Sequence, residues 1–266
     1  MGQRGSLLLP ELFPFLKKWA KITEREPENP PPAKGPPTRV RMISVIIPAH
    51  NEERYLGATL DALQHQDYRW FETIIVANGC SDRTAEIARR RCQRLIVLSR
   101  KNLGMARNLG ARMARGELLL FLDADTILER SALRRIAQNF TTGDAAGTVR
   151  GQPDNPRFAY RLIYGLKNLI HRSSLHPGSS GVILCWKEHF VQTGGFDEAL
   201  EVRENSQLLK RLKRFGRYKY LPNITATTSM RRYQQRGVHR VMLLWMRLWV
   251  ESCLGDLRQR RYETIR

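Results

Sequence analysis

Leu118-Leu119-Leu120-Phe121-Leu122-Asp123-Ala124-Asp125-Thr126 is the stretch that decides the reading of this chain. The apolar run, bounded by Gly116 and the Asp123-Ala124-Asp125 turn, reads as a buried strand. Both carboxylates then stand at its C-terminal end, the edge where ligands of open α/β sheets collect. Two carboxylates held that close repel each other unless a cation joins them. Oxygen-only ligation suits Mg²⁺ or Mn²⁺, with phosphate oxygens completing the shell. An acidic pair in a loop is common, and placement after LLLFL is what lifts this one above a solvated turn.

Upstream, the pattern alternates strand and helix. Ile43 to Ile47, ended by Pro48, reads as a buried parallel strand, and Leu56, Leu60 and Leu63 mark the inner face of the next helix. Glu72–Ala77 and Leu95–Leu98 read as further strands, with a helix starting at Ser81 between them. A helix burying Ala106, Leu109, Gly110 and Met113 leads into the acidic strand, and Leu133, Ile136, Ala137 and Phe140 mark another beyond it. Repeated β-α units with short loops predict a Rossmann-like, mostly parallel central sheet flanked by helices.

The second half is less regular. Arg157–His171 reads as a helix, and Gly181–Cys185 as strand-like. Leu208, Leu209, Leu212 and Phe215 form a helical stripe stopped by Gly216; Arg217–Leu221 and Ile224–Thr228 read as two late strands. Three regions follow: an N-terminal extension (1–41), a central domain (42–229), and a basic amphipathic helical tail (230–266). Within the extension, Phe13–Ile22 suggests an amphipathic turn or two, and six prolines from Pro27 to Pro37 suggest an extended linker. Met42 directly precedes the first strand, so a functional arm and a misassigned start both remain open for residues 1–41. In the tail, Val241, Leu244, Trp245, Leu248 and Trp249 share one helical face. That face suits either a membrane interface or packing on protein.

The 266 residues suffice for one sizeable core. The formal charge is +20, and residues 203–266 carry 16 basic against 4 acidic side chains, which favours anionic partners. That charge makes a basic nucleic-acid-binding protein the alternative from another class, but no helix-turn-helix, zinc or RNA-binding motif is visible, so nucleic acid is not an expected partner. The scattered Cys80, Cys92, Cys185 and Cys253 fit free thiols in a reducing compartment. No run approaches the ~20 apolar residues of a membrane span. Pro10, Glu11 and Pro14 interrupt Leu7-Leu8-Leu9, which argues against a cleaved signal peptide. The expected location is cytoplasmic, with peripheral contact at the inner face of the cell membrane as a further expectation.

SVIIPAHNEE (44–53), IIVANGCSDRT (74–84) and NLGMARNLGARMARGELLLFLDADT (102–126) resemble the family 2 glycosyltransferases in order and spacing, and GGFDEAL (194–200) with RENSQLLKRLKRFG (203–216) resembles their acceptor-side region. The resemblance covers roughly residues 43–228. It implies a GT-A fold, an inverting transfer from a nucleotide-diphosphate sugar of UDP or GDP type, and a divalent metal. It further implies that Pro48, Ala49 and Glu52 line base and ribose, and that Asn78, where the family usually has Asp, contacts the base. Arg107 and Asn108 would contact ribose or diphosphate, Asp123 the ribose or donor sugar, and Asp125 would be the principal metal ligand, with Asp123 assisting.

The family often carries Glu-Asp before its final helix, the Asp acting as base toward an acceptor hydroxyl; this chain has Glu204-Asn205. Three readings stay open: Glu204 takes the role, the acceptor is a phosphate already ionised near neutral pH, or the site is a catalytically silent nucleotide-sugar-binding module. Asn205 itself also suits a helix cap. The acceptor is accordingly a polyprenyl phosphate or a glycan hydroxyl. Gly181, in the Gly178–Gly181 loop, and Trp186 are acceptor-side candidates, Trp186 competing with a place in the core. His171, His176 and His189 receive no role.

Overall fold

The structure, a computed structural model, describes residues 20–24, 40–173, 178–200 and 204–254. Its nine strands are β1 (Ala20–Glu24), β2 (Ile43–Ala49), β3 (Phe71–Asn78), β4 (Arg94–Leu98), β5 (Leu118–Leu122), β6 (Thr126–Leu128), β7 (Asp144–Pro153), β8 (Val182–Trp186) and β9 (Arg217–Thr228), in one sheet of order β1-β4-β3-β2-β5-β8-β7-β9-β6. Strands β4, β3, β2 and β5 are mutually parallel. Strand β8 runs antiparallel between β5 and β7, and β9 is parallel to β7. Six of the nine strands, β2 to β5, β7 and β9, therefore point the same way.

Side-chain alternation along the strands divides the core in two. Val45, Ile47, Ile75, Leu118 and Leu120 face α1 (Leu56–Gln64), α2 (Thr84–Arg91) and α4 (Ala132–Asn139). Ile46, Ile74, Val76, Leu119 and Phe121 face α3 (Leu103–Met113), α6 (Lys187–Gln192) and α7 (Glu204–Leu212). Gly110 lets α3 lie directly on Ile46, where any Cβ would collide with the isoleucine methyl. The remaining helices, α5 (Phe158–Arg172), α8 (Arg231–Arg236) and α9 (Val238–Leu254), meet in a third, smaller cluster of Tyr160, Ile163, Tyr164, Met230, Tyr233 and Val241.

Three details depart from the sequence reading. Ala20–Glu24 is a strand, pairing antiparallel with β4, instead of the end of a helical turn. The outer edge of β4 offers unpaired backbone groups that an extended segment satisfies. Strand β7 carries no legible alternation: Ala145, Ala146 and Gly147 are all buried and small, and a Cβ at Gly147 would meet the Lys219 carbonyl and the Phe140 ring. The two late strands are one strand, β9, whose register slips between Val149 and Arg150 of β7 and so absorbs Pro222, a residue that cannot donate to a ladder. The proline-rich linker, His176, and the side chains of Trp245, Leu248 and Trp249 lie outside the described residues.

Asp144 anchors the start of β7. Its buried carboxylate accepts from the Thr141 N–H (2.9 Å), the Thr141 hydroxyl (2.8 Å) and Lys219 Nζ (2.9 Å). Burial pushes its pKa up, but the bonds from Lys219 and Thr141 outweigh that, so the group sits below its ordinary value. A depressed carboxylate stabilises the fold above its unfolded pKa and loses that contribution as pH falls through the folded one. Asp144→Asn should therefore cost about 2 kcal/mol at pH 7 in urea denaturation, the gap to wild type closing as pH is lowered from 5 toward 3.

Candidate active site

A cavity of about 420 Å³ opens at the C-terminal ends of β2, β3, β5 and β9. Its base is set by local geometry at the ends of these strands. Asn51 sits at φ 52°, turning the chain out of β2, and its amide clasps Ser81 through both the Ser81 N–H (2.8 Å) and hydroxyl (2.9 Å). In the acidic turn, Ala124 points into the core and its carbonyl accepts from Thr59 Oγ1 (2.8 Å). Asp123 and Asp125, on either side of it, therefore both line the cavity. The Asp123 N–H bonds the Gly181 carbonyl (2.9 Å); Gly181 has φ +81° and leaves no room for a side chain against Thr126. The N-terminus of α3 reaches the same cavity through Lys101, Asn102 and Leu103, an arrangement that favours anions.

Two arginines organise the charge. Arg107, from α3, is buried; its Nη1 donates to Glu204 Oε1 (2.8 Å) and Asn205 Oδ1 (2.8 Å), and its Nη2 to Asp123 Oδ1 (3.3 Å). The guanidinium carbon lies 5.0 Å from the centre of the Phe196 ring. Arg231, from α8, grips Glu52 with both terminal nitrogens, one at 2.6 Å, and stands 3.2 Å from Asp125 Oδ2. Its guanidinium lies over Tyr55, 4.5 Å from the ring centre.

The acidic side remains undercompensated. Burial raises Asp125 to about 7; Asp123 and Glu52 push it further up, while Arg231 opposes them. Glu52 is raised by burial too, against its bonds to Arg231. The donors available to a cation are hard carboxylate oxygens, the chemistry Mg²⁺ or Mn²⁺ prefers. Among the described residues no group of three His, Cys, Asp or Glu side chains forms a metal cage. The residues fit a cation that arrives with phosphate oxygens rather than one locked into a protein shell.

Of the residues singled out from sequence, Pro48, Glu52, Asn78, Arg107, Asp123, Asp125, Gly181, Glu204 and Asn205 line the cavity. Three do not. Ala49 alternates into the core, its carbonyl accepting from the Cys80 thiol (3.2 Å), and His50 lines the cavity in its place. Asn108 is buried and clamps the GGFDE loop: its amide nitrogen donates to the Phe196 carbonyl (2.9 Å) and Glu198 Oε1 (2.8 Å), and its oxygen accepts from the Phe196 N–H (2.8 Å). Trp186 lies in the core against Phe140, its indole N–H on the Asp144 carbonyl (3.0 Å). Asn78 uses its oxygen on the Asn102 N–H (2.7 Å), and Asn205 spends its amide on Arg107 and Ser179 Oγ (3.2 Å). Sequence reasoning missed Arg231, Tyr164 and Lys167. Tyr164 and Lys167 stand three apart on a helix that was legible, a spacing that puts them on one face. The basic pair Arg231-Arg232, shortly after the last strand, was the cue for the other.

The family model "Glycosyl transferase family 2" matches residues 44–234, a span that takes in every wall of the cavity, from β2 to α8. The chain belongs to glycosyl transferase family 2. Among curated relatives of this transferase, the 4,4'-diaponeurosporenoate glycosyltransferase of Staphylococcus haemolyticus is 35% identical over 130 residues, covering 46% of this chain and 33% of that protein. The undecaprenyl-phosphate 4-deoxy-4-formamido-L-arabinose transferase of Edwardsiella ictaluri is 30% identical over 150 residues, covering 51% and 45%. The chain thus spans between a third and a half of the length of these two relatives. Among solved structures, the mannosyltransferase PcManGT from Pyrobaculum calidifontis, in complex with GDP-Man and Mn²⁺, superposes with a TM-score of 0.58 at 20% identity, covering 75% of this chain and 60% of that one. S. aureus TarS 1-349 in complex with UDP-GlcNAc gives 0.55 at 21%, covering 70% and 58%. The fold of this family 2 transferase is accordingly of GT-A type.

Arg107→Met leaves Glu204 buried without its counter-charge, so the loss of stability should be large, roughly 3–5 kcal/mol, read as a fall in Tm. Arg107→Lys keeps the charge without the fork and should fall between the two.

Proposed function

We propose that this transferase moves a sugar from a nucleotide-diphosphate sugar to an anionic phosphate acceptor, with inversion, using Mg²⁺ or Mn²⁺ held at Asp125 and Asp123. The observation that carries the choice of acceptor is the state of Glu204-Asn205. Asn205 is an amide, which is no base at neutral pH, and Glu204 is buried with its carboxylate on Arg107 (2.8 Å). A hydroxyl acceptor needs a base to take its proton. A phosphate monoester, with its second pKa near ~6, arrives already ionised.

Lys167 supports the same choice. Its ammonium lines the cavity between the rings of Tyr164 (4.9 Å to centre) and Tyr233 (5.7 Å), with no carboxylate partner among the described residues. Burial pushes it down to about 8, with Arg232 adding to the effect, so an incoming anion finds an uncompensated positive site. The Edwardsiella relative is named for undecaprenyl phosphate, which fits this acceptor class. A nucleotide-sugar donor is supported by the two structural neighbours, solved with GDP-Man and with UDP-GlcNAc.

Each residue then has a task. The free amide N–H groups of Asn78 face the base as donors, its oxygen being held by Asn102. Lys101 and the α3 N-terminus attract the diphosphate. Asp125 and Asp123 hold the cation, which when bound supplies Lewis-acid stabilisation to the departing diphosphate. Arg107 keeps Asp123 and the acceptor-side Glu204-Asn205 turn at a constant separation, so that attack comes from the face opposite the leaving group and inverts the anomeric carbon. A peripheral site on the inner face of the cell membrane follows from a lipid acceptor.

Glu204→Gln should leave turnover with a polyprenyl phosphate within about threefold of wild type, whereas loss of a general base costs on the order of 10²–10⁴-fold. A loss of that size, with Tm unchanged, makes Glu204 a participant in the transfer and removes the argument for a base-free phosphate acceptor. Asp125→Ala should abolish the Mn²⁺-dependent part of UDP or GDP affinity in calorimetry; unchanged affinity with added Mn²⁺ removes the metal assignment.

A further inference from the structure

Helix α5 lends Tyr164 and Lys167 to the cavity with one face and leaves another face uncovered. Phe158 is 80% exposed, Leu162 62%, Leu166 52% and Leu169 64%, with Ile170 at 41%. Their spacing, four, four and three residues, sets them in one row along about 17 Å of helix, at 1.5 Å per residue. The opposite side, Tyr160, Ile163 and Tyr164, packs on Met230, Tyr233 and Val241. Helix α9, which enters that same cluster through Val241, also leaves Met242, Leu243 and Met246 exposed. Apolar rows of this length mark an interaction surface rather than chance exposure.

The flanking charge selects the occupant. Arg157, Arg161 and Arg172 are exposed on or beside α5, and Arg240 and Arg247 on α9. On a helical projection Arg161 and Arg172 fall at one border of the apolar row. A second copy of the chain would set these arginines against their equivalents, at a formal +20 on each partner. An apolar face bordered by arginine is the pattern of a helix lying in the headgroup zone of an anionic bilayer, with the basic side chains reaching up to phosphate. At 15 residues α5 is too short to span a membrane, and no described helix is long and apolar enough to do so.

We propose that α5, joined by the exposed side of α9, docks this transferase on an anionic phospholipid surface, with Phe158, Leu162, Leu166 and Leu169 set among the acyl chains. The docking claim stands on the surface alone. One consequence rests on the phosphate-acceptor reading: Lys167 follows Leu166 directly, so a lipid phosphate held at headgroup depth lies at the mouth of the cavity without leaving the bilayer.

The test is sedimentation of the full chain with unilamellar vesicles of phosphatidylcholine, with and without 30% phosphatidylglycerol. Wild type should bind the anionic vesicles, weakly or not at all the neutral ones, and Leu162→Ser/Leu166→Ser should lower the partition coefficient at least tenfold with Tm unchanged. No binding by wild type overturns the proposal, as does a double variant that binds like wild type. Light scattering that finds a dimer, broken by the double variant and silent toward vesicles, makes the face a self-interface and also overturns it; so does wild type that gains vesicle binding only once residues 1–19 are removed, which makes that segment the cover. Transfer to a short-chain, water-soluble prenyl phosphate is assayed in parallel without vesicles. A docking failure leaves that rate intact, and failure of the acceptor reading abolishes it while vesicle binding persists.

Discussion

Arg107 is a guanidinium withdrawn from water and surrounded by the groups it neutralises. Its three polar partners come from the turn after β5 and from the first turn of α7, segments 81 residues or more apart in sequence. A buried cation of this kind is costly unless it is paired; both terminal nitrogens of Arg107 are, while its Nε has no hydrogen-bond partner among the described residues. The donor side and acceptor side of the cavity are thereby tied to one atom group on α3. The GGFDE loop is drawn to the same helix by Asn102 and Asn108, which bond the Glu198 and Phe196 carbonyls, and the Phe196 ring lies against the guanidinium itself.

The other arginine works differently. Arg231 is shared between Glu52 and Asp125, so two carboxylates meet one guanidinium, with Asp123 held separately by Arg107. That imbalance would be a defect in a purely structural cluster. The same cavity is lined by Lys101, Lys167 and Arg232, so acidic and basic side chains face one space. On the function proposed above, a cation and a polyanion would share this space, each drawn to its own counter-charge.

Helix α5 connects this chemistry to the outside. It is apolar on two faces, one filling the small cluster with α8 and α9 and one left to solvent, and its lysine stands at the cavity between them. The cavity lysine and the exposed apolar row therefore belong to one element.

The sequence by itself determined the parallel half of the sheet and the acidic turn. Ile43–Ile47, Ser44 apart, and Leu118–Leu122 are apolar on both faces, the pattern of fully buried strands, and a strand's end is where Asp123 and Asp125 stand. The tertiary structure alone decided what those residues touch. Strand β7 was illegible because small residues replace an apolar alternation, with Gly147 and Gly151 leaving room for neighbours distant in sequence. Ala49 and Asn108 matched a family position yet face inward, since direction depends on strand phase and on which loop packs against the helix. Arg231 meets Glu52 across 179 residues, and no local pattern encodes so remote an ion pair; Coulomb attraction acts on distance in space, which the chain acquires only once folded.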